Sequence, residues 1–580
     1  MNQSELDNLR HSSAHLLAAA VMEIWPNTKR TIGPAIENGF YYDFQFSQPI
    51  SEKDFSRIDQ KMRELLKKWE GFERKEVTEK EAKELFKDNP YKLELIEEIS
   101  QKGEALTLYT SGNYIDLCRG GHVENPKEML RHFKLLSIAG AYWRGNEKNT
   151  MLTRIYGTSF PTKEELEKHL WMLEEAKKRD HKKIGKELEL FLISDDIGAG
   201  LPIFTPKGTT LRTLVSDYLT HKKQENGYQF VWTPHIAKSQ IYHTSGHWGK
   251  YDAMFSPMKL DDEEYVLKPM NCPHHFQVYL YRPRSYKDLP YRIAENGTVY
   301  RYEKSGEVSG LLRVRALTID DTHTFVRISQ TAEELEKVLT MIKEILKTFG
   351  FDNYKARISI SDPANPSKYL GSREAWEKAE KTLQEKAEQL FGNVIVGVGE
   401  AAFYGPKIDV MVQDSLGREW QLSTVQLDYN QPQNFHMVYT NEEGKEEYPA
   451  ILHIAMIGSL ERLLGILIEH YAGAFPVWLS PIQVAILPIS DKHREHAQKV
   501  LKIFQEAGIR AELNDDKKTL GAKIRHSTLQ KVPYMVIIGD KEIEGAGSKV
   551  SVRTREGKDL GQMGTNDFVV KLKEHIENFS

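Results

Sequence analysis

The sequence predicts a multidomain α+β protein: an N-terminal α+β unit, a large central unit built on an antiparallel sheet with flanking helices, and a C-terminal α/β unit. Three observations carry this. The chain has 580 residues, roughly four domains at ~150 residues each. Helical and strand-like periodicities alternate irregularly through the first four-fifths, without the strict βα rhythm of a parallel sheet. Finally, the charged stretch 162–187, with its run EEAKKRDHKKIGKE, and the pair Pro476 and Pro481 divide the chain.

Composition narrows the class. With 40% hydrophobic and 28% charged residues the chain has material for several cores, which excludes global disorder. The net charge of −4 gives no overall pull toward nucleic acid, so a polyanion must be held by local patches. No apolar run approaches the ~20 residues that span a bilayer, and MNQSELDNLR lacks an apolar signal core. Two cysteines, Cys118 and Cys272, make no disulfide framework and point to a reducing compartment. The expectation is a cytoplasmic enzyme with no membrane partner.

Along the chain, Ser4–Trp25 carries Leu6, Leu9, Leu16, Leu17, Val21 and Ile24 at helical spacing, with Ser4 as the expected N-cap. His11 and His15 then share one face. Strand-like segments follow over 39–46 and 106–114, with a charged helix over 52–68 between them. The first unit runs over 1–160, a helical connector over 161–188, and the central unit over 189–478, where strand-like runs 291–303, 313–326 and 451–457 stand out. Residues 479–580 read strand–helix–strand–helix–strand–strand–helix, and hold 17 basic against 14 acidic residues, the one mildly basic unit.

Three constellations carry chemistry. His11-x3-His15 with Cys118-x3-His122 offers ligands for zinc, or a hydrolytic pocket that orients water, or a structural histidine pair beside a buried thiol. Cys272-Pro-His-His275, then His323 and His453, offers one thiolate and imidazoles for a zinc site with open positions, and local spacing favours His275 as the partner of Cys272. Arg301, Arg313 and Arg315 lie on an apparent hairpin suited to phosphate or carboxylate oxygens. Arg462 opens a very apolar helix, so either Glu461 or Glu469 neutralises it, the plainer reading, or it meets an anionic ligand. There is no GxxxxGK[ST] phosphate loop.

Taken together, the segment ending at Pro234, the Arg301/Glu303 hairpin and GSLERLLGILIEH resemble motifs 1, 2 and 3 of the class II aminoacyl-tRNA synthetases. KPMNCP, LLRVRALTIDDTH, AAFYGPKID, VQLDY and GDKE are similar to threonyl-tRNA synthetases over nearly the whole chain. The resemblance implies a class II catalytic core preceded by an editing domain and followed by an anticodon-binding domain. It also implies activation of L-threonine with ATP and Mg²⁺, transfer to the 3′ end of tRNA(Thr), and a homodimer joined through motif 1.

By the same resemblance Cys272, His323 and His453 hold Zn²⁺, in place of His275. Threonine grips the metal through its amino and hydroxyl groups, and Asp321 accepts from that hydroxyl. Arg301 bridges carboxylate and α-phosphate, and Arg313 and Arg462 hold the outer phosphates. Met270, Glu303, Tyr404, Lys407, Gln421 and Gln426 surround the substrates, and His247 accepts a proton in transfer. His11, His15, Cys118, His122, Lys92 and Asp116, with Gly33 and Tyr42, form a metal-free site that hydrolyses seryl-tRNA. Glu542 and Arg553 read anticodon bases, with Lys517 and Lys518 on phosphates.

The chain begins at the editing helix, so the resemblance implies a bacterial type whose small ubiquitin-like N-terminal domain is absent or was removed. Ile319 stands where glutamine is usual, and His274 where glycine is usual. The rival readings are a prolyl- or seryl-type class II synthetase and a non-catalytic relative.

Overall fold

The computed structural model describes residues 1–369, 372–392, 394–544 and 548–580. The chain divides into two compact units, Met1–Glu174 and Glu175–Ser580. The first opens on helix Gln3–Ile24. Asn2, not Ser4, caps it: the Asn2 side chain accepts from the Glu5 amide at 2.9 Å and the Glu5 carboxylate accepts from the Asn2 amide at 2.9 Å. This reciprocal box extends the helix past the expected start. Leu9, Leu16, Leu17 and Val21 bury against Phe40, Tyr42 and Phe44.

That sheet runs Lys29–Arg30, Gly39–Gln45, Met151–Ser159, Phe133–Tyr142, with Ala35–Ile36 beside the second strand. The single strand expected over 106–114 is a hairpin of Leu106–Ser111 and Tyr114–Leu117, because Gly112 turns back at φ +57°. The helix expected over 52–68 is a 3₁₀ turn, Glu52–Asp54, leading into Phe55–Leu66.

The charged connector is two helices. Lys163–Lys178 has no buried residue. Asp180 then caps His181–Glu187, where His181 and Ile184 are buried, so this highly charged run still sends two side chains inward. Ile184 joins the main core of the second unit.

The centre of that unit is an eight-stranded sheet in the order Gln229–Phe230, Tyr291–Tyr300, Ala316–Val326, Ala450–Ser459, Glu419–Asp428, Lys407–Gln413, Tyr354–Ile360, Val394–Val398. It is antiparallel except for the pairs at its two edges. Register fixes which residues share a face. One rung aligns His323, His453, Gln426 and Lys407. The adjacent rung, Ala294, Thr322, Ile454, Val425, Ile408 and Ile358, has the opposite orientation, and its apolar members enter the core with helices Pro206–Glu225, Thr331–Thr348 and Leu460–His470. The apolar side holds the sheet, and the histidine side is left for chemistry.

The C-terminal sheet runs Ala511–Leu513, Val484–Pro488, Tyr534–Ile538, Lys549–Thr554, Asp559–Gly564. The last strand was not expected, since Gly561 and Gly564 weaken its pattern.

Candidate active sites in two clusters of histidine and cysteine

In the first unit, helix Gln3–Ile24 and the turn at Gly120–Gly121 bring four ligand-type groups together: the ligand atoms of His11, His15, Cys118 and His122 lie within 4.8 Å of one another. Gly120 and Gly121 have φ of +106° and +82°, which only glycine adopts without strain. The hydrogen-bond partners fix the protons. His11 Nδ1 donates to the Gly121 carbonyl at 3.2 Å, leaving His11 Nε2 as an acceptor 3.5 Å from Cys118 Sγ. Ser12 Oγ accepts from the Val123 amide and offers its hydrogen to His122 Nδ1 at 3.2 Å. With the Ser12 hydrogen on its Nδ1, His122 Nε2 carries a proton toward Cys118 Sγ at 3.3 Å, and the thiol has two acceptors, His11 Nε2 at 3.5 Å and the Gly120 carbonyl at 3.9 Å.

The circuit is closed and neutral. Burial, and then the neighbouring His11, push His122 down to about 3, while burial pushes the Cys118 thiol up to about 11. His15 is buried, and its Nδ1 has no hydrogen-bond partner among the described residues.

Beside this circuit Asp116 is buried with Lys92 at 2.7 Å and Arg30 at 3.2 Å. Tyr42 and Tyr114 hydroxyls donate to its other oxygen at 2.5 and 2.9 Å. Burial alone raises a carboxyl, but Lys92 and Arg30 overcome it and hold Asp116 well below the usual range. A Cβ on Gly33 would meet the Tyr42 ring at 2.1 Å, so glycine there lets Tyr42 reach Asp116. His11, His15, Gly33, Tyr42, Lys92, Asp116 and Cys118 line one cavity of about 550 Å³.

In the second unit the sheet rung and helix Cys272–Leu280 gather Cys272, His323 and His453, whose ligand atoms also lie within 4.8 Å of one another. Asp428 Oδ2 accepts from His453 Nε2 at 3.0 Å, so Nδ1 is the free nitrogen. Glu295 is held as a carboxylate against its burial by His275, the Thr233 amide and Lys268, and accepts from His275 Nε2 at 3.2 Å. His275 Nδ1 then accepts from His323 Nδ1 at 2.8 Å. What remains is His323 Nε2 facing His453 Nδ1 at 2.9 Å, two lone pairs toward each other beside a thiol. That arrangement is repulsive until a cation sits between the nitrogens, and each imidazole has the outer partner that orients a metal ligand. The donor set fits Zn²⁺. His275, the partner suggested by local spacing, instead stands behind His323, because its position on the helix turns it toward Glu295.

Around this centre, Asn271 donates to Asp321 Oδ2 at 3.1 Å, and a Cβ on Gly297 would meet the Asn271 amide at 2.6 Å. Half-buried Met270 precedes it. Lys407 and Gln421 share Asp409, at 2.6 Å each, and Gln426 donates to the Gly405 carbonyl at 3.1 Å. The Tyr404 ring lies 5.8 Å from both His453 and His247. Ser245 donates to the Tyr242 carbonyl and accepts from His247 Nδ1 at 2.8 Å, so His247 Nε2 is a free acceptor. Burial pushes His247 down to about 4.

The arginines differ in partners. Arg301 Nε and Arg462 Nε are buried without a hydrogen-bond partner among the described residues. The salt bridge expected for Arg462 does not form. Glu461 accepts from the Thr318 amide at 2.8 Å and faces Arg212 at 3.9 Å, while Glu469 binds His181 and Arg418. Arg313 is half-exposed and paired with Glu303 at 2.7 Å and Glu307 at 3.1 Å.

In the C-terminal sheet Glu542 is buried, accepting from the Gly539 amide, Ser551 and Gln562. Arg553 Nε is buried without a hydrogen-bond partner among the described residues. Ser551 and Arg553 are two apart on one strand, so Glu542 and Arg553 lie on one face. Lys517 and Lys518 are exposed.

The chain matches three family models: the tRNA synthetase class II core domain (G, H, P, S and T) over 255–471, the anticodon binding domain over 483–575, and the threonyl and alanyl tRNA synthetase second additional domain over 106–156. It is 48% identical to the threonine–tRNA ligase of Rubrobacter xylanophilus over 98% of this chain and 88% of that one. Against the same-named protein of Cytophaga hutchinsonii the identity is again 48%, with the same shares covered. Among solved structures it resembles the RNA binding domain of threonyl-tRNA synthetase from Cryptosporidium parvum Iowa II, at 33% identity and TM-score 0.65, covering 68% of this chain and 98% of that one. A prolyl-tRNA synthetase from Giardia lamblia, at 18% identity and TM-score 0.54 over 70% of this chain and 80% of that one, shares the fold.

Proposed function

The chain belongs to the threonine–tRNA ligase family, and from that premise we propose that the two clusters are its synthetic and editing centres. The protein is a threonine–tRNA ligase that joins L-threonine to tRNA(Thr) through threonyl-adenylate, using ATP with Mg²⁺. The observation that carries the assignment of the synthetic site is the rung His323–His453–Gln426–Lys407 beside Cys272 and Asp321. Cys272, His323 and His453 would hold Zn²⁺, which supplies a Lewis acid with open positions for an amino and a hydroxyl group. Asp321, steadied by Asn271, accepts from the side-chain hydroxyl. Arg301, unpartnered at Nε, binds the threonine carboxylate and α-phosphate, and Arg462 with Arg313 takes the outer phosphates. His247 Nε2 is free to accept a proton in transfer.

A site that demands a hydroxyl rejects valine strongly, but serine lacks only a methyl, worth ~1–3 kcal/mol. A second sieve is required. The first unit supplies it by hydrolysing seryl-tRNA(Thr). Burial raises the Cys118 thiol, which disfavours the thiolate that a nucleophile needs. Water is the attacking group in this reading, oriented by His11, His15, His122 and the Lys92–Asp116 pair, with Cys118 serving their hydrogen-bond network.

Glu542 and Arg553 read anticodon bases. The exposed Trp232 and Ile236 beside Pro234 support a homodimer through this segment, and the free cysteines support a cytoplasmic location. Pyrophosphate exchange tests the reading: threonine drives it and valine does not, and exchange driven by proline or serine alone would defeat it.

A further inference from the structure

We infer that His181, in the connector, is a positioning residue for ATP: it clamps the loop that carries Arg313 to the helix that carries Arg462. The inference rests on the reading that these two arginines hold the outer phosphates. His181 is 1% exposed. Its backbone amide and its Nδ1 both reach Glu469 Oε1, at 3.1 and 2.7 Å, and its Nε2 accepts from the Leu311 amide at 3.0 Å.

The polarity is forced. A carboxylate only accepts, so Nδ1 carries the proton and Nε2 is left for the Leu311 N–H. Glu469 lies seven residues beyond Arg462 on helix Leu460–His470, two turns or about 10 Å along the same face. Leu311 lies two residues before Arg313, within the short ladder Ser309–Arg313.

The fit is made by two glycines. A Cβ on Gly310, at φ +50°, would stand 2.1 Å from His181 Nε2, and one on Gly465 would stand 3.6 Å from its ring and 3.1 Å from Leu312. Both the loop and the helix give up side chains to let one imidazole bridge them. A neutral imidazole is suited to this, since it donates at one end and accepts at the other.

The test uses the whole protein in threonine-dependent pyrophosphate exchange. His181→Asn keeps a donor for Glu469 and loses the acceptor for Leu311. The KM for ATP is expected to rise ~10-fold, as for one lost hydrogen bond to a positioned loop, with the KM for threonine within ~2-fold. His181→Gln, whose amide oxygen reaches the Nε2 position, is expected to return the ATP KM to within ~3-fold of the parent. Gly310→Ala strikes the same contact from the loop side and is expected to raise the ATP KM selectively, which keeps the test open should the asparagine variant not fold.

An unchanged ATP KM in His181→Asn, or a joint loss in both KM values and kcat, would overturn the inference, as would a glutamine variant no better than asparagine. A parent protein whose exchange does not depend on threonine would instead overturn the functional reading beneath it.

Discussion

The two clusters contain the same residue types, histidine and one cysteine, yet differ in where their protons go. Around Cys118 the imidazoles can pair lone pairs with protons, because Gly121 and Ser12 favour complementary tautomers of His11 and His122. Around Cys272 the outer partners are Asp428 and, through His275, Glu295. They draw both imidazole protons outward and leave bare nitrogens face to face at 2.9 Å. The first is a neutral pocket for moving protons, the second a socket for a cation. The residues behind the imidazoles, more than the imidazoles themselves, decide which.

The largest test of this contrast removes a thiol. Cys272→Ser should cut threonine activation by ~10³-fold or more, as expected when a Lewis acid worth several kcal/mol is lost, and bound metal should fall with it. Next, His122→Ala breaks the Cys118 circuit, and hydrolysis of seryl-tRNA should fall ~10²-fold, the lower end for a positioned proton-transfer group. Deacylation at the parent rate would remove His122 from the site. Smaller again, Ser12→Ala frees the His122 tautomer and should cost ~3–10-fold, the value of one neutral hydrogen bond; no change would show the tautomer is set elsewhere.

The smallest expected effect is on the pH profile. With His122 at about 3, deacylation should show no histidine inflection near pH 6.5 in a profile measured from pH 5.5 to 8. The same shift bears on stability. The folded value is depressed, so between pH 6.5 and about 3 the unfolded chain binds a proton that the native chain refuses. Stability falls as the pH drops through that window, and His122→Phe should lessen the fall in an acid titration of native structure.

Much of this was legible in the sequence, for physical reasons that can be named. His11 and His15 are one helical turn apart, and Cys118 and His122 four residues apart, so half of each pairing is local. The order of the longer helices and strands after Pro481 follows from plain periodicity, except for the last strand, Asp559–Gly564. The residues themselves marked Cys272 as part of a zinc site, but the choice of His323 and His453 over His275 came only with the resemblance, since these two meet by strand register across 130 residues. Local spacing pointed instead to His275, which serves behind the site.

Ser12, Asn271, Glu295 and Asp428 were missed. Each is a single polar residue whose role lies in one hydrogen bond to a distant side chain, which leaves no spacing to read. Arg462 was read toward a salt bridge because two glutamates flank it in its helix. Glu461 and Glu469 are spent on the Thr318 amide, Arg418 and His181, which sequence proximity does not reveal.

X-ray absorption at the zinc edge on the purified protein tests the central claim most directly. The account predicts one zinc per chain with one sulfur neighbour at ~2.3 Å and two imidazole nitrogens at ~2.0–2.1 Å, the rest light atoms, and the sulfur lost in Cys272→Ser. Active protein that carries no zinc, or zinc with no sulfur neighbour, would contradict it.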